Sequence, residues 1–522
     1  MEVVATSSDL PGALRSARRV AAASFGDDSL LLERLVERPR HIEVQVLADT
    51  HGHVVHLGER ECSLQRRHQK VVEEAPSALF AGLADGAAHR ERLGALACDV
   101  ARSVGYVGAG TVELLVPADD PATAWFIEMN TRLQVEHPVT EAVTGLDLVE
   151  AQLRVAAGQP LAFGQDDVRL RGHAIEARVY AEAPGRGFVP ATGTVLVLDE
   201  PTGPGVRVDS GLREGDEVTG HYDPMLAKVV AHGGDRDEAL ARLDRALAET
   251  VVLGVDTNVG FLRTLLADDE VVAGRLHTGI VDAVATGVEG EAVATAADLV
   301  VAALATTGSG TARDPWALDG WRAAAAPAPR RTVVRDDVGR DHVVLVAPDV
   351  DDVGRVVGHD LLLVSVDGDD PRRCVLTPAP APGPGPTGLR RLTVDGVGEP
   401  VRVALHEGMV HVFRAGRAVR LAVPSRAETE AAARAARGRP SSATDPEVRS
   451  AMPGTVVAVD VDDGDDVPAG ATLLTVEAMK MERRLLAPHA GTVSLSARVG
   501  DLVRADQVVA VVHPAATPEG ES

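Results

Sequence analysis

Aromatic side chains make up only 2% of this 522-residue sequence, so its cores must be built mainly from Ala, Val and Leu. Cysteine is scarcer still. Cys62, Cys98 and Cys374 show neither metal-ligand spacing nor the even count of a disulfide framework, which suits a reducing cytoplasm. Basic charge is outweighed: 52 Lys and Arg face 77 Asp and Glu, a net charge of −25. That balance excludes duplex nucleic acid and anionic membranes as expected partners, because both require a basic face. Apolar runs of about 18 residues are missing, and no basic segment followed by an apolar one opens the chain, so neither a spanning helix nor a secretory leader is expected. The expectation is a cytoplasmic protein of roughly three or four domains.

Residues 1 to about 155 mix helical and strand patterns and hold most of the polar constellations. A second α+β segment runs to about 285. It includes a helix from Asp235 with Leu240, Leu243 and Leu247 on one face, and Asp235 with Glu238 reads as a capping box. From about 286 to 440, Ala-rich helical sequence gives way to valine-rich alternating runs that read as strands, interrupted by the proline-rich loop Pro378 to Pro386. Gly438-Arg439-Pro440-Ser441-Ser442 begins a tether to a last unit, residues 446–514.

That last unit is an internal repeat. Gly454-Thr455-Val456 and Gly464-Asp465-Asp466-Val467 return as Gly491-Thr492-Val493 and Gly500-Asp501-Leu502-Val503, about 37 residues later. Each half alternates apolar and polar residues between glycine turns, which predicts two similar sets of short strands packed face to face. Lys480, in Val476-Glu477-Ala478-Met479-Lys480-Met481, falls on the turn between them. A lysine there has its amine free for acylation, and flanking methionines on a turn gain little from burial, so recognition by another protein explains them better. The segment resembles the biotin carboxyl carrier domain, an all-β biotinyl/lipoyl-type fold, through its Ala-Met-Lys-Met motif. The resemblance implies biotin attached to Lys480 by a biotin protein ligase.

Arg40 to Leu47 alternates strictly, placing His41, Glu43 and Gln45 on one face of a strand and Ile42, Val44 and Val46 on the other. Glu59 to Lys70 concentrates cationic and amide donors, as a phosphate or bicarbonate site would need. Gly110 to Val116 and Ala124 to Asn130 predict a hairpin that brings Glu113 and Glu128 together. With Asn130 they offer hard oxygen ligands suited to Mg²⁺. Arg132 follows as an anion ligand and Glu136 as a general base. Gly105-Tyr106-Val107-Gly108-Ala109-Gly110 imitates a phosphate loop but reads better as a helix-ending turn.

These strings resemble the biotin carboxylase family of ATP-grasp enzymes, most specifically Gln65-Arg66-Arg67-His68-Gln69-Lys70, Phe126 to Arg132, and Gln134 to Glu141. With the carrier segment, the chain resembles the α subunit of a biotin-dependent acyl-CoA carboxylase. The implied fold class is multidomain α+β: the C-terminal part of an ATP-grasp biotin carboxylase, a mixed α/β-barrel-like middle region that docks a partner, and the all-β carrier. By that resemblance Glu33, Arg34, Leu35, Val36, His41, Gln65 and His68 would bind ATP. Glu113, Glu128 and Asn130 would hold Mg²⁺, with Mn²⁺ as the alternative. Lys70, Arg132, Gln134 and Val135 would bind bicarbonate, Glu136 would deprotonate it, and Arg178 would stabilise the biotin enolate. Carboxybiotin on Lys480 would then reach a carboxyltransferase β subunit in a hetero-oligomer. Acetyl-, propionyl-, methylcrotonyl- and geranyl-CoA all stay open as acceptors.

The resemblance begins after the family's glycine-rich loop, so the N-terminal nucleotide-fold domain and two ATP-binding lysines have no counterpart here. The expectation is weak or no carboxylation by this chain alone, whether from an internal start, a truncation or a split gene. The alternative is a biotinylated carrier and interaction protein on a non-catalytic carboxylase scaffold.

Overall fold

The alternation at Arg40–Leu47 becomes the strand β1 (Pro39–Ala48), near the middle of an eight-stranded antiparallel sheet. A computed structural model of the protein describes residues 3–67, 69–288, 294–306, 328–349, 362–378, 388–437, 446–478 and 481–514. The other strands of the sheet are β2 (Val54–Arg66), β3 (Gln69–Ala75), β4 (Gly108–Pro117), β5 (Trp125–Asn130), β6 (His173–Tyr180), β7 (Val206–Ser210) and β8 (Met225–Gly233), in the order β7-β8-β6-β3-β2-β1-β4-β5. β3 pairs directly with β6, so one sheet crosses the boundary expected near residue 155, and the first two segments share a continuous hydrogen-bonded layer.

The odd-even pattern decides what each face of the sheet meets. Ile42, Val44 and Val46 join Val112, Leu114 and Val116 beneath the helix α1 (Gly86–Ser103), which buries Leu93, Ala97 and Ala101 against them. His41, Glu43 and Gln45 point to the opposite face and are buried as well. The segment after β5 turns into the short helix α2 (His137–Thr144), which packs on β2, β3, β6 and β8. Further along, α3 (Arg236–Glu249) and α4 (Val259–Leu266) cover β6 and β8 with Leu243, Leu247, Leu262 and Leu265, while Leu240 is only half-buried. The capping box expected at Asp235 is half made. Asp235 Oδ1 accepts from the Glu238 amide at 2.9 Å, but the Glu238 carboxylate accepts from Gly234 N at 2.7 Å instead of reaching back to Asp235.

The valine-rich runs close into an eight-stranded antiparallel barrel between Arg330 and Ala422, sealed where Arg335 pairs with Ala422. Its bore holds the helix α5 (Ala296–Thr306), whose consecutive residues Leu299 to Leu304 are all buried, as a helix apolar on every side requires. Asp298 at its start is buried and ion-paired to Arg414 of the barrel at 2.8 Å. The last unit is two four-stranded sheets packed face to face on Val456, Leu474, Val476, Val493 and Val512. Gly454 and Gly491 occupy equivalent places in the repeat for the same reason: a Cβ would lie 2.3 Å from Glu477 O or 2.1 Å from His513 O.

Lys480, His68, Asp314 to Trp316, the proline-rich loop beyond Pro378 and the tether at Gly438 lie outside the described residues. In the last unit, Ala478 with Met481 is the last described pair of its ladder. Among the described residues, no helix is long and apolar enough to cross a membrane.

Candidate active site

Strand register builds the site. Arg60 of β2 stands opposite Glu43 of β1, Glu43 opposite Glu113 of β4, and Glu113 opposite Glu128 of β5, so a single cross-strand row holds one guanidinium and three carboxylates. Two residues along, Gln45, Thr111 and Asn130 form the next row on the same face. Carboxylates in adjacent register repel one another, and the arrangement holds only because cations are interleaved with them.

Arg60 supplies the first, and its side chain is fully buried. Nη1 donates to Gln45 Oε1 at 2.7 Å and Thr140 Oγ1 at 3.1 Å; Nη2 donates to Gln134 Oε1 at 2.7 Å, and to Glu43 Oε2 and Thr111 Oγ1, each at 3.2 Å. The second is Lys70, at the start of β3. Its Nζ donates to Glu43 Oε1 and to Glu136 Oε1 and lies 3.7 Å from Glu113 Oε1. The third is Arg178 of β6, whose Nη2 donates to Glu136 Oε2 at 2.9 Å while Nε donates to Glu73 Oε1 at 2.5 Å. Glu136 is thus clasped between Lys70 and Arg178 at the start of α2. Gln134, two residues earlier, donates to Glu113 Oε1 at 2.8 Å, and His41 Nε2 lies 2.9 Å from Glu113 Oε2.

This setting shifts the acidity of each carboxyl group in its own direction. Burial works to raise Glu136, but the charges of Lys70, Arg60 and Arg178 outweigh it and hold the carboxyl far below its ordinary range. Glu113 is likewise brought down to about 2 against its burial, by the His41 contact and Lys70. Glu43 goes the other way, raised by full burial and by the nearby charge of Glu136. Glu176, cross-strand from Glu73, is pushed far up by burial and by Glu73, and neither of its oxygens has a hydrogen-bond partner among the described residues.

Two groups stand out among the residues read from the sequence. His41, Lys70, Glu113, Gln134, Glu136 and Arg178 meet in the buried cluster. Glu128, Asn130 and Arg132 instead link to one another at the sheet edge, with Asn130 Nδ2 donating to Glu128 Oε1 at 2.8 Å and Arg132 Nη2 donating to Asn130 Oδ1 at 3.0 Å. Val135 offers its carbonyl to Lys228. Gln65 is half-buried opposite Lys70 in the β2–β3 register. Glu33, Arg34 and Leu35 are exposed and Val36 half-buried in the segment before β1, with the Arg34 guanidinium 5.3 Å from the Trp125 ring centre. The Gly105 to Gly110 stretch joins α1 to β4 with Gly105 at a φ of 61°, a helix-ending turn as expected.

The facing carboxylates of Glu113 and Glu128 and the Asn130 amide are hard oxygen donors that fit Mg²⁺ or Mn²⁺, and ligand atoms of His41, Glu43 and Glu113 lie within 4.8 Å of one another beside them. Sequence reasoning missed Glu73 and Tyr180, the latter donating to the Lys70 carbonyl at 3.0 Å, and it placed Glu43 on the polar face and Arg60 in the donor-rich stretch without giving either a role. The missing signal was register: Arg60 looks like one charge in a charged run until β2 is laid against β1.

Residues 1–163 match the ATP-binding domain of the carbamoyl-phosphate synthase L chain, residues 176–283 the biotin carboxylase C-terminal domain, and residues 446–512 the family of biotin-requiring enzymes. The α subunit of mitochondrial methylcrotonoyl-CoA carboxylase from Arabidopsis thaliana is 49% identical over 284 residues, covering 54% of this chain and 38% of that protein. The α chain of human mitochondrial propionyl-CoA carboxylase is 37% identical over 497 residues, covering 94% of this chain and 65% of that protein. The chain thus spans less than two thirds of either. Among solved structures, the biotin carboxylase domain of a thermophilic 2-oxoglutarate carboxylase bound to bicarbonate superposes with a TM-score of 0.50 at 41% identity, covering 53% of this chain and 61% of that one.

Proposed function

Because the chain belongs to the biotin-dependent carboxylases, we propose that its buried Lys70–Glu136–Arg178 cluster binds bicarbonate and that the protein carboxylates biotin carried on Lys480. The supporting observation is one carboxylate, Glu136, gripped between two cations beside Glu113. While Lys70 and Arg178 both pair with it, Glu136 is a weak base. An anion that shares those donors restores its basicity, so the proton leaves bicarbonate for Glu136 only when the substrate is seated. Lys70, Arg132, Gln134 and the main chain of Val135 orient the substrate, and Glu73 keeps Arg178 fixed while its charge meets negative charge developing on the acceptor. His41, Gln65 and His68, with the Glu33–Val36 segment, bind ATP. Glu113, Glu128 and Asn130 would hold a divalent cation, which offsets the charge of the nucleotide phosphates. Biotin on Lys480, placed there by a biotin protein ligase, supplies the nitrogen that accepts CO2.

The four units of this reading are an ATP-grasp portion over 1–155, a carboxylase C-terminal portion over 156–285, a partner-docking portion over 286–440 and the carrier over 446–514. The partner would be a carboxyltransferase subunit acting on a small acyl-CoA in the cytoplasm. Protein purified from its native cell tests this. It should carry one biotinyl group on Lys480 and fix labelled bicarbonate with MgATP, weakly if this chain acts alone, and Glu136→Gln should abolish that fixation while leaving biotinylation intact. Biotinylation with no fixation by the unsubstituted protein would leave a carrier on a non-catalytic scaffold.

A further inference from the structure

Away from the carboxylate cluster, a cavity of about 270 Å³ opens where the barrel meets the second segment of the eight-stranded layer. Its walls come from the turn Ala183–Arg186, the loop at 250–258, the first turn of α4, and the barrel strands Met409–Arg414 and Arg417–Ala422. The charges are unbalanced. Arg186 and Arg420 line it and share a single carboxylate, that of Asp256, in a chain of net charge −25. One carboxylate oxygen, Asp256 Oδ2, serves two guanidiniums, Arg186 at 2.6 Å and Arg420 at 3.6 Å.

Two further features point to a ligand. His411, cross-strand from Arg420, is only 7% exposed, and its ring lines the cavity with no hydrogen-bond partner among the described residues. Burial and Arg420 keep it neutral, so it has a ring N–H to donate. Asn258, at the N-cap position of α4, sends its side chain to Tyr180 N and Arg178 O and leaves the first-turn amides without a side-chain cap, and Val259 and Gly260 of that turn line the cavity. Uncapped helix amides, an unbonded buried imidazole and under-neutralised guanidiniums all favour an oxyanion. Phe261 and Phe413 supply an apolar wall beside them.

We propose that this interdomain cavity binds a small organic oxyanion, a carboxylate or phosphate monoester with a compact apolar body. Arg186, Arg420, His411 and the α4 amides hold the anionic group, and Phe261 and Phe413 contact the rest. The proposal is independent of the carboxylase reading. Titration calorimetry on the full chain at low ionic strength tests it, with phenyl phosphate and benzoate as probes and inorganic phosphate as the body-less control. Phenyl phosphate or benzoate should bind more tightly than inorganic phosphate, and the order of the two shows which oxyanion the site prefers. Arg186→Ala and Arg420→Ala should each weaken binding about tenfold or more. Asp256→Asn, which frees both guanidiniums, should tighten it, an effect no merely structural role would give. If Arg420→Ala loosens the fold in a circular-dichroism melt, Arg186→Ala and Asp256→Asn decide. Absence of binding overturns the proposal, as does binding that none of the three substitutions moves.

Discussion

Replacing Arg60 by Met keeps most of the side-chain length and removes five hydrogen bonds at once, those to Gln45, Thr140, Gln134, Glu43 and Thr111. Glu43 would keep only Lys70 as a nearby cation, with the His41 ring 3.5 Å away, while staying fully buried beside Glu113 and Glu136. Breaking a buried ion pair from one side costs about 3–5 kcal/mol, because the remaining charge keeps its desolvation penalty. At about 1.4 kcal/mol per decade, opening of the central strands should become between about a hundredfold and several thousandfold more frequent. Amide hydrogen exchange is the right assay, since it reads β1 and β4 separately from the barrel and the carrier, which need not unfold with them. Arg60→Lys, which keeps the charge but not the planar fork, should fall between Met and the parent. Exchange in β1 and β4 that rises less than about tenfold in Arg60→Met would show that Arg60 does not hold the carboxylate row together, as would acceleration confined to the barrel or carrier.

Three further outcomes follow from the structure. Glu113, lowered to about 2, stabilises the fold fully above its ordinary value of 4.5, and that contribution is lost as pH falls from there toward 2; urea midpoints of the parent should drop across that window more steeply than those of Glu113→Gln. Glu182 is the reverse case, raised by burial to about 7 although Arg66 and Arg67 partly offset it, so stability declines as pH rises from about 4.5 through 7; Glu182→Gln should flatten this decline in the same measurement. In the carrier, Leu474→Ala removes a fully buried side chain at a cost of about 2–5 kcal/mol, enough to unfold so small a unit and abolish biotinylation by a ligase in vitro, whereas Lys480→Arg should stay folded and simply fail to accept biotin.

Local elements, and the chemistry available to them, were legible in the order of residues alone. Alternation at Arg40–Leu47 set the faces of β1, the spacing of Glu113 and Glu128 set the hairpin that opposes them, and the 37-residue repeat set the two sheets of the carrier. Each of these is a short-range pattern, legible because strand periodicity and turn residues act within a few positions. Long-range register was not legible in this way. That Arg60 would neutralise the Glu43 row, that Glu73 would share Arg178 with Glu136, and that Glu176 would be left without a hydrogen-bond partner among the described residues depended on which strands lie side by side, and β3 meets β6 across about a hundred residues of chain. The half-made cap at Asp235 shows the same limit at short range, where the Glu238 side chain chose between two neighbouring amides. Closure of the barrel around α5, and the cavity it forms with the loop at 250–258, likewise follow from packing one unit against another. Sequence fixes which groups a strand can offer, while the desolvation and charge that set their protonation arise only once neighbours from distant segments have excluded water.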